Sequence, residues 1–474
     1  MSRVAMEASR RVAEPVAATT RAPRTGEGLS VGPKGPVLVA AASLLFTAVY
    51  VVMGAGYVLD DWYTLANGRL DGATSAVAAD QWRARPGTGV VSTLVFGPLG
   101  GHPGWTAMIQ GLVSAATAAL LVVTARRFVS PGRAAAIGLF WAVLPTHTSL
   151  VMWPSAANIG LSTLLGVAAV RWLADERRSR HALALIALAI GILCYEALAP
   201  FAAAVTLAVP WVRRRRPDVS LTFAGAVVIG GATGWILLHW NSSKDLKHTP
   251  DLGLALTGHF GEGAVGVGTM GVVVAGLAAV GMFALVWSAV RRDEGASLDR
   301  DAWLLLAGLA VIVVGLVPFA RYFYAPFGPG DRFHFVSGIG GAMCWTALLA
   351  RTVALRRELG YVVGAGLLIL GAAAHVRQAS VWHRGGADAE EILDAIVARW
   401  PEPPDERIVL GPAPIIEAGV APFVSRSNLE YALRYRYGTT DVRAGVAHHE
   451  DDFATVPEAL RVEIGPLSSL NPDD

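Results

Sequence analysis

Leu59-Asp60-Asp61-Trp62-Tyr63 closes the first long apolar run of the chain and sets two adjacent carboxylates at the lip of a segment that carries no other charge from Val37 onward. Ionised groups beside hydrocarbon are costly, so a carboxylate pair kept there points to chemical use. Asp60 or Asp61 can serve as a general base, with the other carboxylate orienting it or holding a cation. The plainer reading is an interfacial helix with solvated charges, because Trp62, Tyr63 and Trp82 suit the membrane–water boundary.

Other side chains able to do chemistry recur between the apolar runs. Arg85-Pro86 lies in the same loop as the carboxylate pair, between Asp60 and Gly104. His147 and Trp153 occupy a Pro-punctuated turn, where His147 either satisfies a backbone carbonyl or joins a site. Glu196, in Cys194-Tyr195-Glu196-Ala197-Leu198, is a lone carboxylate in an apolar hairpin; it needs an Arg from another loop or a place in the site itself. Arg321, Asp331 and Arg332 fall in a segment rich in Tyr, Pro and Gly. The planar donor fork of Arg suits phosphate oxygens, and pairing with Asp331 or Glu196 is the structural alternative. Cys194 and Cys344 sit in apolar runs and read as buried, inert thiols; His375 and His383 read as structural.

The elements that must position these residues are membrane helices. The composition is 53% hydrophobic and only 16% charged, against about 25% charged in soluble domains. The uncharged runs Val37 to Leu59, Trp105 to Ala125, Val219 to Trp240, Gly263 to Val290, Ala302 to Ala320 and Phe333 to Ala350 are each long enough to span a bilayer. Ala134 to Val170 would be about 55 Å long as one helix, so it must fold back near Pro145-Thr146-His147 and Trp153-Pro154. Ala182 to Val212, interrupted by Glu196 and Pro200, reads as two short arms of about 22 Å each, whose turn lies below the membrane surface. Irregular backbone at that depth survives only inside protein or beside water, which predicts a hydrated cavity.

With two arms there, the Arg-rich clusters alternate consistently, and more than half of the 39 Lys and Arg residues fall on one side. That side is cytoplasmic by the positive-inside rule. The expectation is an all-α polytopic membrane protein of eleven transmembrane helices, N-terminus cytoplasmic and C-terminus extracytoplasmic, with a small C-terminal extracytoplasmic α/β appendage. Residues 1–36 read as a disordered cytoplasmic tail without a cleavable signal, 37–380 as the transmembrane domain and 381–474 as the appendage. In the appendage, Ala387 to Trp400 is helical with Ile392, Leu393, Ile396, Val397 and Trp400 on one face, Arg407 to Leu410 is a strand, and Ser427 caps a helix through Tyr435. The net charge of +2, spread over short clusters, argues against nucleic acid as a partner.

The order of these motifs resembles the GT-C class of polytopic membrane glycosyltransferases, in particular its protein O-mannosyltransferase-like and tetratricopeptide-linked mannosyltransferase-like branches. The resemblance spans about residues 37 to 380. It rests on Asp60-Asp61 after the first span, Arg85-Pro86 before the second, Pro145, His147 and Trp153 in a later outer turn, Tyr195-Glu196 two spans on, and Asp331-Arg332-Phe333-His334-Phe335 near the end. Two departures stand out. Ser149 replaces a Glu two residues after the His, and Trp153-Pro154-Ser155-Ala156-Ala157-Asn158 lacks the Arg and Asp of the class pattern.

What the resemblance implies is transfer of a sugar from a polyprenyl-phosphate carrier to a glycan, lipid or protein acceptor on the extracytoplasmic face. Asp60 or Asp61 would take the proton of the acceptor hydroxyl, and Arg85, Arg321 or Arg332 would stabilise the leaving lipid phosphate. His147, Trp153, Glu196 and Asp331 would line the substrate site. No cofactor is demanded; a divalent cation, Mg or Mn, suits the carboxylates as an addition. Two alternatives stay open. One is a transporter or flippase of a lipid-linked glycan; the other is a non-catalytic assembly partner that keeps the architecture.

Overall fold

The computed structural model describes residues 34–72, 79–144, 148–214, 218–239, 299–319, 334–411, 420, 422–423, 425–448 and 450–463. The expected N-terminal tail and the expected span Gly263 to Val290 lie outside the described residues. Helix α1, Gly35–Gly54, opens with a proline at its first turn, where the missing N–H would have no partner anyway, and holds no charge. It ends at Gly54, whose φ of +102° is left-handed. Three helices fill the connection that follows: α2, Asp61–Leu70; α3, Ala79–Ala84; and α4, Pro86–Leu99.

Helix α5, Pro103–Ala125, returns antiparallel to α1. Ser43 Oγ meets Ser114 Oγ at 3.1 Å midway along both helices, and Tyr57 OH, just past the end of α1, meets Thr106 Oγ1 at 3.3 Å near the start of α5. Small and hydroxylated residues at this seam let the backbones approach, as lipid-embedded helices require. The expected fold-back of Ala134 to Val170 is present: α6, Pro131–Val143, is followed by α7, Ser149–Met152, a 3-10 turn at Pro154–Ala156, and α8, Ala157–Leu173. The two-arm reading also holds. Helix α9, Arg178–Cys194, stops where Tyr195 turns extended (φ −156°, ψ 109°). A 3-10 turn at Glu196–Leu198 then leads into α10, Ala199–Arg214.

Helices α11, Val219–His239; α12, Arg300–Leu316; α13, Ser337–Leu355; and α14, Arg357–Arg399, complete the described bundle. Among the described residues seven helices are long and apolar enough to cross a membrane, which makes the protein a multi-pass membrane protein. Of the other described segments counted towards eleven spans, α6, α9 and α10 are shorter, at 13, 17 and 16 residues. Helix α14 has 43 residues, about 65 Å of helix against a hydrocarbon core of about 30 Å. It runs unbroken through residues 380 and 381, where the change in composition suggested a junction. Gly386 inside it faces Gly56 so closely that a Cβ on Gly56 would sit 2.7 Å from the Gly386 Cα.

The C-terminal unit is a three-stranded parallel sheet of order β2-β1-β3, with β1 at Ile408–Gly411, β2 at Ala444–Val446 and β3 at Arg461–Glu463. Ile408 pairs with Ala444 and Leu410 with Val462. Helix α15, Arg426–Tyr437, crosses between β1 and β2, and α16, Glu450–Ala454, precedes β3. The cap of α15 is Ser425, not Ser427. Ser425 is extended, its Oγ accepts from Asn428 N–H, and Asn428 Oδ1 accepts from Ser425 N–H, while Ser427 already lies in the first turn. Leu393 and Ile396 of α14, Trp62 and Leu65 of α2, and Ile408, Leu410, Leu429 and Leu433 form one buried core. The C-terminal unit is thereby packed on the segment that carries the carboxylate pair.

The two ends of the bundle differ chemically. Where α5 ends and α6 begins, Arg133 Nε lies 2.7 Å from Asp301 Oδ1 and Arg351 Nη1 3.3 Å from Asp299 Oδ2. The carboxylate pair and the C-terminal unit occupy the opposite end.

Candidate functional site

Leu59 places the carboxylates. Its φ of +53° is uncommon for a bulky residue and is held by its N–H donating to Pro422 O at 3.3 Å, a contact from the C-terminal unit. The chain then turns so that Asp60 and Asp61 diverge. Asp60 is exposed, and one carboxylate oxygen accepts from Asn428 Nδ2 at 3.2 Å. Asp61 is fully buried. Its Oδ2 accepts from Val58 N–H at 3.1 Å; its Oδ1 accepts from Ser155 N–H at 2.8 Å and from Ser155 Oγ–H at 2.6 Å. Burial pushes the Asp61 carboxyl up to about 7, against the hydrogen bonds, which favour the ionised form.

A polar seam continues from there. Asn158 is one turn beyond Ser155, and its Nδ2 donates to Thr88 Oγ1 at 3.1 Å and to Cys194 O at 3.0 Å. Thr88 Oγ1–H in turn donates to Cys194 O at 2.7 Å. Two residues on, Glu196 Oε1 accepts from Arg85 Nη2. The Arg85 guanidinium also lies over the Tyr195 ring, 5.7 Å from its centroid. Tyr195 meets Phe335 edge-on at 5.5 Å and stacks near Phe319 at 6.3 Å. The first loop, the 3-10 turn at Pro154, the hairpin at Glu196 and the start of α13 therefore converge at one end of the bundle.

Of the expected site residues, Asp60, Asp61, Arg85 and Glu196 are brought into this region. Trp153 is 3% exposed and tilts against Trp382 at 6.2 Å, with its carbonyl accepting from Gln110 Nε2 at 2.9 Å. It lies in the core beneath the seam. His147, Arg321, Asp331 and Arg332 lie outside the described residues. His375 and His383 have the structural roles expected of them, with Nδ1 against Val143 O at 2.8 Å and Gly54 O at 2.7 Å. Thr88, Ser155, Asn158 and Asn428 were not anticipated. They are neutral and common residue types, and only their meeting in space marks them out.

The carboxylates do not form a cation cage. Asp61 spends both oxygens on protein donors, which leaves Asp60 as a single carboxylate ligand. Among the described residues no three His, Cys, Asp or Glu side chains gather. A Mg or Mn ion needs several oxygen ligands, so these residues alone do not fit one.

No protein-family model matches the chain. Lipid A galacturonosyltransferase RgtD of Rhizobium johnstonii is 26% identical to it over 224 residues. The chain is similar to a lipid-directed glycosyltransferase. The match covers 44% of this chain and 45% of RgtD, so the chain spans about half the length of that relative. Among solved structures, ArnT from Cupriavidus metallidurans bound to undecaprenyl phosphate overlays with a TM-score of 0.47 and 14% identity, covering 91% of this chain and 90% of ArnT.

Proposed function

We propose that the protein is a membrane glycosyltransferase that moves a sugar from a polyprenyl-phosphate donor to an acceptor on the extracytoplasmic face. The observation that carries this reading is the polar seam at one end of the bundle, which joins the Asp60-Asp61 turn to the Arg85–Glu196 pair through Ser155, Asn158 and Thr88. The similarity to a lipid A galacturonosyltransferase supports it. In this reading the end bearing Asp60 faces outward and the end bearing Arg133 and Arg351 faces the cytoplasm, in line with the Arg-rich clusters.

The two carboxylates take different roles. Asp60, exposed and oriented by Asn428, accepts the proton of the acceptor hydroxyl as that oxygen attacks the anomeric carbon. Asp61 is a positioning residue that ties the start of α2 to the turn at Ser155. Arg85, held by Glu196 and Tyr195, faces the leaving lipid phosphate and offsets the charge that builds on it. Arg321 and Arg332 are further candidates for that phosphate, and His147 and Asp331 for the donor sugar.

The test is transfer by the purified full chain in nanodiscs, with a polyprenyl-phosphate sugar and an outer-envelope lipid or glycan. Asp60→Asn is expected to lower transfer by about 10²- to 10⁴-fold with insertion and yield unchanged. Full activity in that variant would overturn the assignment of the base. Movement of labelled lipid across the bilayer with no glycosidic bond formed would point to the flippase reading instead.

A further inference from the structure

A cavity of about 340 Å³ opens where the end of α1, α2, α14 and α15 meet. Its wall combines three aromatic residues, Tyr57, Trp62 and Tyr435, with three polar ones, His383, Glu390 and Arg436. Small-molecule sites run from about 300 to 1,000 Å³ and are mainly apolar with a few placed polar groups. The cavity is separate from the seam at Arg85 and Glu196, and the roles proposed above do not use it.

Three features specify the ligand. The rings of Tyr57, Trp62 and Tyr435 pack at 6.0 Å from one another through Trp62, giving a continuous aromatic wall. Trp62 is 1% exposed, and its Nε1–H is buried without a hydrogen-bond partner. That donor lies too deep to be reached from the cavity, and the hydrogen-bonding groups on its wall are those of His383 and Glu390, which suit ligand hydroxyls. Arg436 is already matched by Glu390 and by Asp394, the latter at 3.1 Å, so the rim has no cationic surplus to offer an anion. An uncharged ring with C–H faces and many hydroxyls satisfies all three conditions.

We infer that this cavity is a subsite for a neutral sugar ring, set between the membrane bundle and the C-terminal unit. The inference rests on the transferase reading only for the sugar's role, as a distal unit of the acceptor glycan beyond the reacting hydroxyl near Asp60. Trp62, adjacent to Asp61 in the chain, links the two places. The cavity wall comes from α2 and α15, the same helices that hold and orient Asp60, so an acceptor seated there is anchored to the helices that position the base.

The experiment is saturation-transfer NMR on the full chain in nanodiscs, with methyl α-mannopyranoside, methyl β-galactopyranoside and methyl α-arabinofuranoside as probes and inorganic phosphate as competitor. Gly101 lines the cavity, and a Cβ on it would meet nothing within 4 Å; Gly101→Leu places a bulky side chain at the cavity wall from a backbone position with room for its Cβ. Binding of at least one glycoside, unaffected by phosphate and abolished in Gly101→Leu, is the expected result. No glycoside binding, displacement by phosphate, or equal binding in Gly101→Leu would overturn the inference. If transfer proceeds while no glycoside binds, the subsite is wrong and the transferase reading stands. If glycosides bind and Gly101→Leu blocks them while no donor is turned over, the subsite stands and the transferase reading falls.

Discussion

Ser155 holds Asp61 twice, through its backbone N–H at 2.8 Å and its Oγ–H at 2.6 Å, both on Oδ1. That double contact fixes the start of α2 against the turn before α8. It also sets the carboxylate pair apart, with Asp61 buried and Asp60 beside it exposed.

Ser155→Ala removes one of the two donors and leaves the backbone N–H. The expected loss is about 0.5–1.5 kcal/mol below pH 7, where the Asp61 carboxyl is protonated, rising towards about 3 kcal/mol where it is ionised, read by chemical denaturation in mixed micelles. Transfer should fall less than in Asp60→Asn. An Ala variant as stable as the parent would show that the Oγ–H bond contributes nothing.

Asp61 should give the fold a pH signature. Its folded carboxyl is raised from the usual 3.8 to about 7 by burial, so the folded state favours the protonated form. The stability this lends is full below the unfolded value and is lost as pH rises through the folded one. The melting temperature of the parent is expected to decline between about pH 4 and pH 7. Asp61→Asn should have a lower baseline, because its amide places a donor against Val58 N–H, and should lack that decline. An equal decline in both would assign the titration elsewhere.

The Arg85–Glu196 pair separates structure from chemistry. Arg85→Ala is expected to cost about 10²- to 10³-fold in transfer if Arg85 faces the leaving phosphate. Glu196→Gln keeps the shape of the partner and should cost far less. In a double-mutant cycle on stability, the coupling is expected at about 1–2 kcal/mol for a half-buried pair. Equal losses of transfer in the two single variants would reduce Arg85 to a structural anchor.

Gly386→Ala should loosen the seat of the first loop. The added Cβ would stand 2.8 Å from Gly56 Cα, where backbone meets backbone and nothing flexible can yield. Overpacking of this kind costs about 1–3 kcal/mol, and the shift would move Asp60 with it. Gly366→Ala, on the same helix with open space around it, is the control and should be neutral or slightly stabilising in thermal unfolding.

Much of the bundle was legible in the sequence because the signals were large: uncharged runs, prolines at 145 and 154, and Glu196 alone in apolar surroundings. Charge in hydrocarbon is so costly that Asp60, Asp61, Arg85 and Glu196 could be picked out one by one. The seam between them could not. Ser155, Asn158 and Thr88 are cheap to place anywhere, and the stretch Trp153 to Asn158, which looked depleted of charge, supplies two of the links. The junction near residue 380 was suggested by composition, yet the backbone of α14 ignores composition and runs on, with Gly385-Gly386 serving close contact where such a pair usually breaks a helix. The cap at Ser425 was missed by two residues because three serine or asparagine residues compete there and only the extended one can cap.

A single uninterrupted α14 has a mechanical consequence. A rod anchored in lipid at one end and wedged into a folded unit at the other transmits torque. Displacement of the C-terminal unit is therefore carried along a single helix axis into the packing of the bundle.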